Sequence, residues 1–368
     1  MEHTVYNYSL CMALALMLFF AFDFLIGKAP AKTIYNNYLR SRRIMGVAIL
    51  VLSLNYAVHL FIGIRFISHN AAILMNLSTY FCCYWLFSTS LTALLDRKYI
   101  TRRQVITHLS LWLLFTTLAG CFLLFIPKGN TQNVGIVIMA VSLFVYGILL
   151  ARKLLLTYHK AIRSSEDIYS DDIKIYVNWM SVITYWAVIY GISCGLLTFL
   201  PDDWVFGWIL SSIPFYIYLY RSFYNYLMFY EQVERAIEID EVQDNPEQTV
   251  QEQPNDKLPH YHESIAPKLT LWVEQEAFTQ TGFTIQELAK TLQTNRTYLN
   301  EYIKNTYHVS FREWVTGLRL EFAKKLMKKH PEMPLQKVAE ASGFLSLSYF
   351  IKIFSEKEGC TPAKWKKQ

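Results

Sequence analysis

The sequence is short of charge over most of its length and short of paired cysteines throughout. Of 368 residues 17% are charged, against 53% hydrophobic and 16% aromatic, and mean hydropathy is +0.20. That is too apolar for an average soluble protein. The shortage is uneven: residues 5 to 230 hold long uncharged runs, whereas 231 to 368 carry charge like a soluble domain. The six cysteines include no CxxC and no Cys/His ligand spacing, so neither a disulfide framework nor a zinc site is supported. Cys11, Cys82, Cys83, Cys121 and Cys194 lie in apolar runs and Cys360 in the polar tail, and small buried hydrophobes is their expected role. No HExxH and no paired intramembrane Asp motif is present, and the last apolar run contains no Lys that could carry a retinal Schiff base. With no nucleophile, base or metal constellation, an enzyme is the weakest functional class, and no cofactor is expected.

What is present is a set of seven apolar runs, near 5–26, 44–67, 71–95, 105–126, 133–151, 179–200 and 204–228. A helix of about 20 residues crosses a hydrocarbon core, so the expected architecture is all-α: a polytopic seven-helix bundle in a lipid bilayer. The first run is too long for a signal-peptide core and no basic segment precedes it, so a cleaved leader is not expected. The connections decide orientation. Lys28, Lys32, Arg40, Arg42, Arg43, then Arg97, Lys98, Arg102, Arg103, then Arg152, Lys153, Lys160, Arg163 and Lys174 fall on one side, and only Arg65 and Lys128 on the other. Basic residues stay cytoplasmic, which puts the N-terminus outside and the C-terminus inside. The outer connections, SHN, PKGNTQ and PDD, are too short for a folded sensory domain. A signal must then reach the bundle as a small ligand or through a partner membrane protein.

Polar residues inside spans are candidate signal-site groups. Asn55 and His59 stand four apart and share a helical face; Asn76 lies near the outer end of the third run and Asp23 near the inner end of the first. The competing role is interhelical hydrogen bonding, or, for Asp23, that of an interfacial side chain. After the last run, Tyr226, Tyr230, Val233 and Ile237 recur at 4, 3, 4 spacing, a stripe that could pair with a second copy in a homodimer. The Gln-rich, acidic stretch QDNPEQTVQEQPNDKLP then reads as a flexible tether. The expected domains are 1–230, a transmembrane sensor; 231–256, an acidic helical or disordered linker; and 257–368. The last holds 17 Lys+Arg against 11 Asp+Glu, the same +6 as the whole chain.

That tail contains an internal repeat. Ile285, Leu288 and Ala289 match Leu335, Val338 and Ala339 at offset 50, and Tyr298, Leu299, Ile303 and Trp314 match Tyr349, Phe350, Phe354 and Trp365 at offset 51. One extra residue at a turn accounts for the difference. Each copy opens with a helix start, the Thr284/Glu287 capping box or Pro334, and continues through a turn, with Gly343 in the second, to a second cap at Asn295 or Ser346. In the following helices Tyr298, Leu299, Tyr302, Ile303 and Tyr349, Phe350, Ile353, Phe354 should face a core. The opposite faces, Arg296, Thr297, Asn300, Glu301, Lys304 and then Leu347, Ser348, Ile351, Lys352, are the candidate DNA-contacting residues, because such a helix fits a major groove. Between the copies runs an amphipathic helix with Trp314, Leu318, Phe322 and Leu326 as its stripe and Lys324, Lys325, Lys328 and Lys329 at its end, suited to phosphates.

Residues 262 to 368 resemble the DNA-binding domain of AraC-type bacterial transcription regulators. The resemblance rests on Gly343-Phe344, Ser348-Tyr349-Phe350, Phe354, Gly359-Cys360-Thr361-Pro362 and Trp365-Lys366, with Leu318-Arg319-Leu320, Ala323 and Leu326 in the joining helix. It implies two helix-turn-helix units joined by a long helix, double-stranded DNA as partner, and a bacterial source; with the seven apolar runs, the expected location is the bacterial cytoplasmic membrane. Glu301 departs from the basic or amide residue frequent at its position, and Leu347 and Ile351 would turn apolar side chains to the groove. The expected function is a membrane-anchored one-component transcription regulator. The alternative is a membrane transporter or receptor whose tail binds a protein partner; transporters commonly show internal pseudo-symmetry, and the seven runs show none.

Overall fold

The computed structural model describes residues 4–28, 30, 32–172, 174–197, 205–241 and 258–367. Among them every regular element is helical: α1 (Thr4–Ile26), α2 (Asn36–Ala57), α3 (Ile64–Ile67), α4 (His69–Leu95), α5 (Arg102–Phe125), α6 (Asn130–Glu166), α7 (Lys174–Leu197), α8 (Val205–Glu241), α9 (Leu258–Glu274), α10 (Ile285–Thr291), α11 (Arg296–Tyr307), α12 (Phe311–Lys329), α13 (Leu335–Ala341), α14 (Leu347–Glu358) and α15 (Pro362–Trp365). The chain divides into two compact units, one of residues 1–160 and 176–231, the other of residues 161–175 and 232–368.

Among the described residues, five helical stretches, Thr4–Ile26, Thr33–Ile62, His69–Leu95, Arg102–Phe125 and Asn130–Glu166, are long and apolar enough to cross a membrane by length and composition. The sixth and seventh apolar runs fall on α7 and α8, and residues 198–204 between them lie outside the described residues. Helices outrun the apolar stretches that announce them: α6 continues to Glu166 and α8 to Glu241. Hydropathy marks where side chains are apolar, whereas the backbone ladder continues through polar residues at little cost. The second run is interrupted instead. α2 passes into a π-helical turn over Val58–Ile62, and Gly63 takes a left-handed conformation (φ 65°) before α3.

α2 packs between α1 and α4, and α4 also packs on α5. Arg42 is buried, and its guanidinium caps the end of α1: Nε donates to the Phe24 carbonyl (3.0 Å), and Nη2 to those of Asp23 (2.9 Å) and Gly27. Tyr226 and Tyr230 are buried within this unit, against Tyr38, Trp179 and each other. This corrects the expected pairing stripe. A 3.6-residue period reports that a face is covered, not whether the cover is this chain or a second copy. The side chains of Val233 and Ile237 lie outside the described residues.

The second unit has two apolar cores strung on α12. Trp272 of α9, Leu288 of α10, Leu299 and Ile303 of α11, and Phe311 and Trp314 of α12 make the first, with Trp272 stacked on Trp314 at 5.8 Å. Leu320, Ala323 and Met327 of α12 meet Val338, Phe350 and Phe354 in the second. Burying each of these large side chains is worth about 1.5–3 kcal/mol, so α12 is held at both ends. Its expected single stripe is replaced by burial on several sides: Leu318, Phe322 and Leu326 are only partly buried, while Val315, Leu320, Ala323 and Arg319 are fully so.

Helix starts are capped as their sequences suggest. Thr284 and Glu287 form a capping box at α10, and Ser310 and Glu313 form another at α12. The backbone N–H of Ser310 holds the Glu313 carboxyl below the usual carboxylate range. A depressed folded pKa stabilises fully above the unfolded value of about 4.3 and is lost as pH falls through the folded value. Ser310→Ala should cost about 1 kcal/mol and leave most of the acid sensitivity, since the backbone N–H remains, whereas Glu313→Gln should blunt it. Protease resistance of the C-terminal unit in urea, at neutral pH and below pH 4, would register both.

Candidate functional site

Three of the four polar candidates of the first unit come together. Asn55 Nδ2 donates to Asn76 Oδ1 (3.0 Å) and to Thr79 Oγ1 (3.2 Å). His59 Nε2 lies 3.0 Å from the same Asn76 oxygen, and its Nδ1 lies 3.5 Å from the Tyr6 hydroxyl. An amide oxygen only accepts, so His59 carries its proton on Nε2 and Nδ1 is left to accept from Tyr6. His59 stands on the π-helical turn, which swings its ring onto α4. Asn55 Oδ1 is buried with no hydrogen-bond partner among the described residues. Asp23 is not part of this cluster; it sits at the end of α1 that Arg42 caps. A cavity of about 160 Å³ lies elsewhere in the unit, lined by Tyr56, Tyr84, Phe87, Trp208 and Phe215 among others, and none of the four candidates lines it.

In the second unit two helix pairs repeat the same geometry. α10 leads to α11 through the turn Leu292–Asn295, where Gln293 adopts a positive φ of 54°; α13 leads to α14 through Ser342–Ser346, where Gly343 does so at 84°. The left-handed residue is at offset 50, and the extra residue follows it. Asn295 accepts from the Thr297 N–H at 2.7 Å and Ser346 from the Tyr349 N–H at 3.2 Å, which starts α11 and α14.

On α11, Thr297, Glu301 and Lys304 are exposed, whereas Arg296 and Asn300 are half-buried. On α14, Ser348 and Lys352 are exposed. Leu347 and Ile351 depart from the expected open face: both are half-buried and pack on the core around Phe350 and Phe354. A twelve-residue helix on so small a core covers more than a narrow stripe, so its apolar residues extend around the helix. Of the lysines at the end of α12, Lys324 is engaged by Glu321 (2.6 Å) and Glu358 (3.1 Å), which hold it above the usual lysine range. Lys328 lies 5.5 Å over the Trp365 ring, and Lys325 and Lys329 are exposed.

The residues that sequence reasoning missed are acidic and lie at the end of α6 and in the connection to α7. Arg319 of α12 is 2% exposed as a side chain and meets Asp171, 4% exposed, at 2.6 Å. Its Nε and Nη2 donate to the carbonyls of Phe278 (2.9 Å) and Gln280 (2.7 Å). The other Asp171 oxygen accepts from the Gly282 N–H at 2.6 Å. Arg312, seven residues before Arg319 and so on the same face of α12, meets Glu166 at 2.9 Å and Asp172 at 3.1 Å. Lys304 meets Asp167 at 2.6 Å. Backbone pairing reinforces these contacts: the Ser170 N–H donates to Phe283 O (3.0 Å) and the Ile285 N–H to Ile168 O (2.8 Å), around an antiparallel bridge between Tyr169 and Thr284. The available signal was four carboxylates in the seven residues EDIYSDD, 166–172, within a connection otherwise read for its basic residues.

A family model described as a helix-turn-helix domain, of the AraC type, matches residues 288–368. Among curated proteins the chain is similar to the uncharacterized HTH-type transcriptional regulator YijO of Escherichia coli, 28% identical over 87 residues, which is 24% of this chain and 30% of that protein. It is similar to the regulatory protein PocR of Salmonella typhimurium, 24% identical over 127 residues, 34% of this chain and 41% of that one. Similarity to the HTH-type transcriptional regulator ExsA of Pseudomonas aeruginosa is 26% over 97 residues, 26% of this chain and 34% of that one. The chain thus spans less than half the length of each of these relatives. No solved structure matches it. The repeated helix pairs, the two cores on α12 and the family match agree: residues 288–368 belong to the AraC-type helix-turn-helix domains, and the relatives of this part of the chain are transcriptional regulators.

Proposed function

We propose that the protein is a membrane-anchored one-component transcription regulator. Seven spans within residues 1–230 sense a signal, residues 231–256 link, and residues 257–368 carry two helix-turn-helix units that bind promoter DNA from the cytoplasmic face of a bacterial inner membrane. The observation that carries the DNA reading is the AraC-type match on α10–α15, where α11 and α14 each follow a capped turn and leave polar residues exposed. α12, with 19 residues, is about 28 Å long, close to the roughly 34 Å between successive turns of the major groove.

The membrane reading rests on outward faces that are themselves apolar. Phe19 and Phe22 of α1, Leu113 and Leu118 of α5, and Ile138 and Val141 of α6 are all exposed. Soluble proteins rarely leave such contiguous patches to water. We assign the signal site to Asn55, His59 and Asn76; the support is the buried Asn55 oxygen, unpartnered among the described residues, which could accept a donor from a small ligand. We read the chain as a regulator rather than an enzyme, in line with relatives that are named as transcriptional regulators.

Full-length protein in lipid nanodiscs should enrich discrete fragments from sheared genomic DNA. Binding should weaken with salt at a slope of about −0.9 per phosphate contacted, and Lys352→Gln should lower that slope by about 1 without altering the preferred sequence. Absence of any enriched fragment together with salt-insensitive binding would sink the DNA reading. For topology, a reporter active only in the cytoplasm should work when fused after Lys98 and fail when fused after Lys128; activity at both positions would refute the alternating arrangement.

A further inference from the structure

We propose that residues 166–172, from the last residue of α6 into the connection to α7, are an acidic clasp that masks Lys304, a DNA-facing cation of the first helix pair, together with Arg312 of α12, and holds the C-terminal unit in a low-affinity state. The proposal rests on the DNA-binding reading above. The clasp is a segment of this chain, and it belongs to the same compact unit as α9–α15.

Its two halves do different work. Asp171 anchors. Its carboxylate is buried between the Arg319 guanidinium and the Gly282 N–H, and the Tyr169–Thr284 bridge aligns the strand-like segment beside it. Glu166 and Asp167 mask. Asp167 takes Lys304, the lysine on the DNA-facing side of α11, and Glu166 takes Arg312 at the start of α12. These two acids are accessible, with side chains 37% and 33% exposed. The Asp167–Lys304 pair, open on both sides, is the kind that a polyanion can exchange, since exposed ion pairs are individually weak; Arg312 is itself mostly buried, so its pair with Glu166 exchanges less readily.

DNA presents about one negative charge per 1.7 Å of axis. To reach Lys304 and Arg312, phosphates must displace carboxylates already bonded to them and approach Asp172 as well. The segment 161–175 holds two basic residues, Arg163 and Lys174, against four acids, so its own charge of −2 repels the ligand. The clasp is also the stretch of chain running directly between α6 and α7, two of the helices assigned to the sensor. Chain continuity therefore gives a signal in those helices a route to Lys304 that bypasses residues 242–257.

The test uses full-length protein in nanodiscs and a labelled mixed-sequence duplex of about 40 base pairs, which reads phosphate contacts without a known operator. E166Q/D167N should bind about tenfold tighter than the parent at moderate salt, with a salt slope steeper by about 1 to 2. E274Q/E276Q removes the same charge from exposed positions that touch neither cation, and should do much less. K304Q should weaken binding in the E166Q/D167N background and scarcely change it in the parent, a coupling that net charge alone does not produce. Equal affinity and slope in parent and E166Q/D167N, an equal gain in E274Q/E276Q, or additive effects of K304Q would each overturn the clasp. Salt-sensitive binding by the parent with no gain from E166Q/D167N overturns the clasp alone, whereas no binding by any variant overturns the DNA reading along with it.

Discussion

Arg319→Leu is expected to cost the C-terminal unit about 3–5 kcal/mol, the usual penalty when one partner of a buried pair is removed. The guanidinium has three acceptors: the Asp171 carboxylate and the Phe278 carbonyl, both buried, and the part-buried Gln280 carbonyl. Leucine leaves all three without it, and the carboxylate is the most expensive because it must stay charged without a counter-ion or take up a proton. Arg319→Lys should recover little, since one ammonium cannot span three acceptors in the fork geometry of a guanidinium. Asp171→Leu alone should cost a similar amount by stranding the arginine. The double replacement Arg319→Met/Asp171→Leu should be markedly milder than the sum, because buried pairs often exchange for apolar ones with little loss. Protease resistance in urea of the parent and the four variants would establish this. Equal stability of parent and Arg319→Leu would mean that the pair is not buried in solution.

Gly343→Ala should be nearly as damaging, for a steric reason. Gly343 has φ +84°, a conformation that costs an L-residue about 1–2 kcal/mol. An added Cβ would also stand 2.4 Å from the Thr279 carbonyl oxygen and 2.9 Å from Arg319 Nε. The first neighbour is backbone and cannot turn aside, and the second is held by Phe278 and Asp171. Overpacking of this kind adds about 1–3 kcal/mol. Gly359 provides the control. Its φ is +70°, but a Cβ there meets nothing within 4 Å. Gly359→Ala should therefore show only the backbone cost, and Gly359→Asn less still. A Gly343→Ala protein no less stable than Gly359→Ala would show that the Thr279 contact is relieved at no cost.

Both predictions act on the same few ångströms, where the 166–172 segment, the Phe278–Gln280 turn and the α13–α14 turn meet around one guanidinium. The junction joins the two cores of the unit to the clasp. Lesions here should therefore weaken both helix pairs together, whereas losing the Ser310 cap should loosen mainly the start of α12.

The arrangement of the C-terminal unit was largely legible along the chain. Thr284, Asn295 and Ser346 cap helices because a side-chain oxygen three residues or fewer from an unpaired N–H is a local relation. Leu299, Ile303, Phe350 and Phe354 are buried because a periodic apolar face must find cover. The apolar runs of the first unit were legible for the same reason. Relations across long sequence separations were not. Nothing in the run containing Tyr226 and Tyr230 says that their cover is Tyr38 and Trp179 rather than a second copy. Leu347 and Ile351 look exposed on a helical wheel, yet a small core draws them in.

Sequence by itself thus determined which segments are helical, where they start, and that an apolar part and a basic AraC-type part share one polypeptide, because these follow from local hydrogen bonding, periodicity and composition. Tertiary structure alone decided that Asn55, His59 and Asn76 converge while Asp23 stands apart, and that Arg319 closes on Asp171 from 148 residues away. The physical reason is that a charge carries no mark of its partner. A carboxylate in a connecting segment reads as solvated until the fold shows a buried guanidinium facing it.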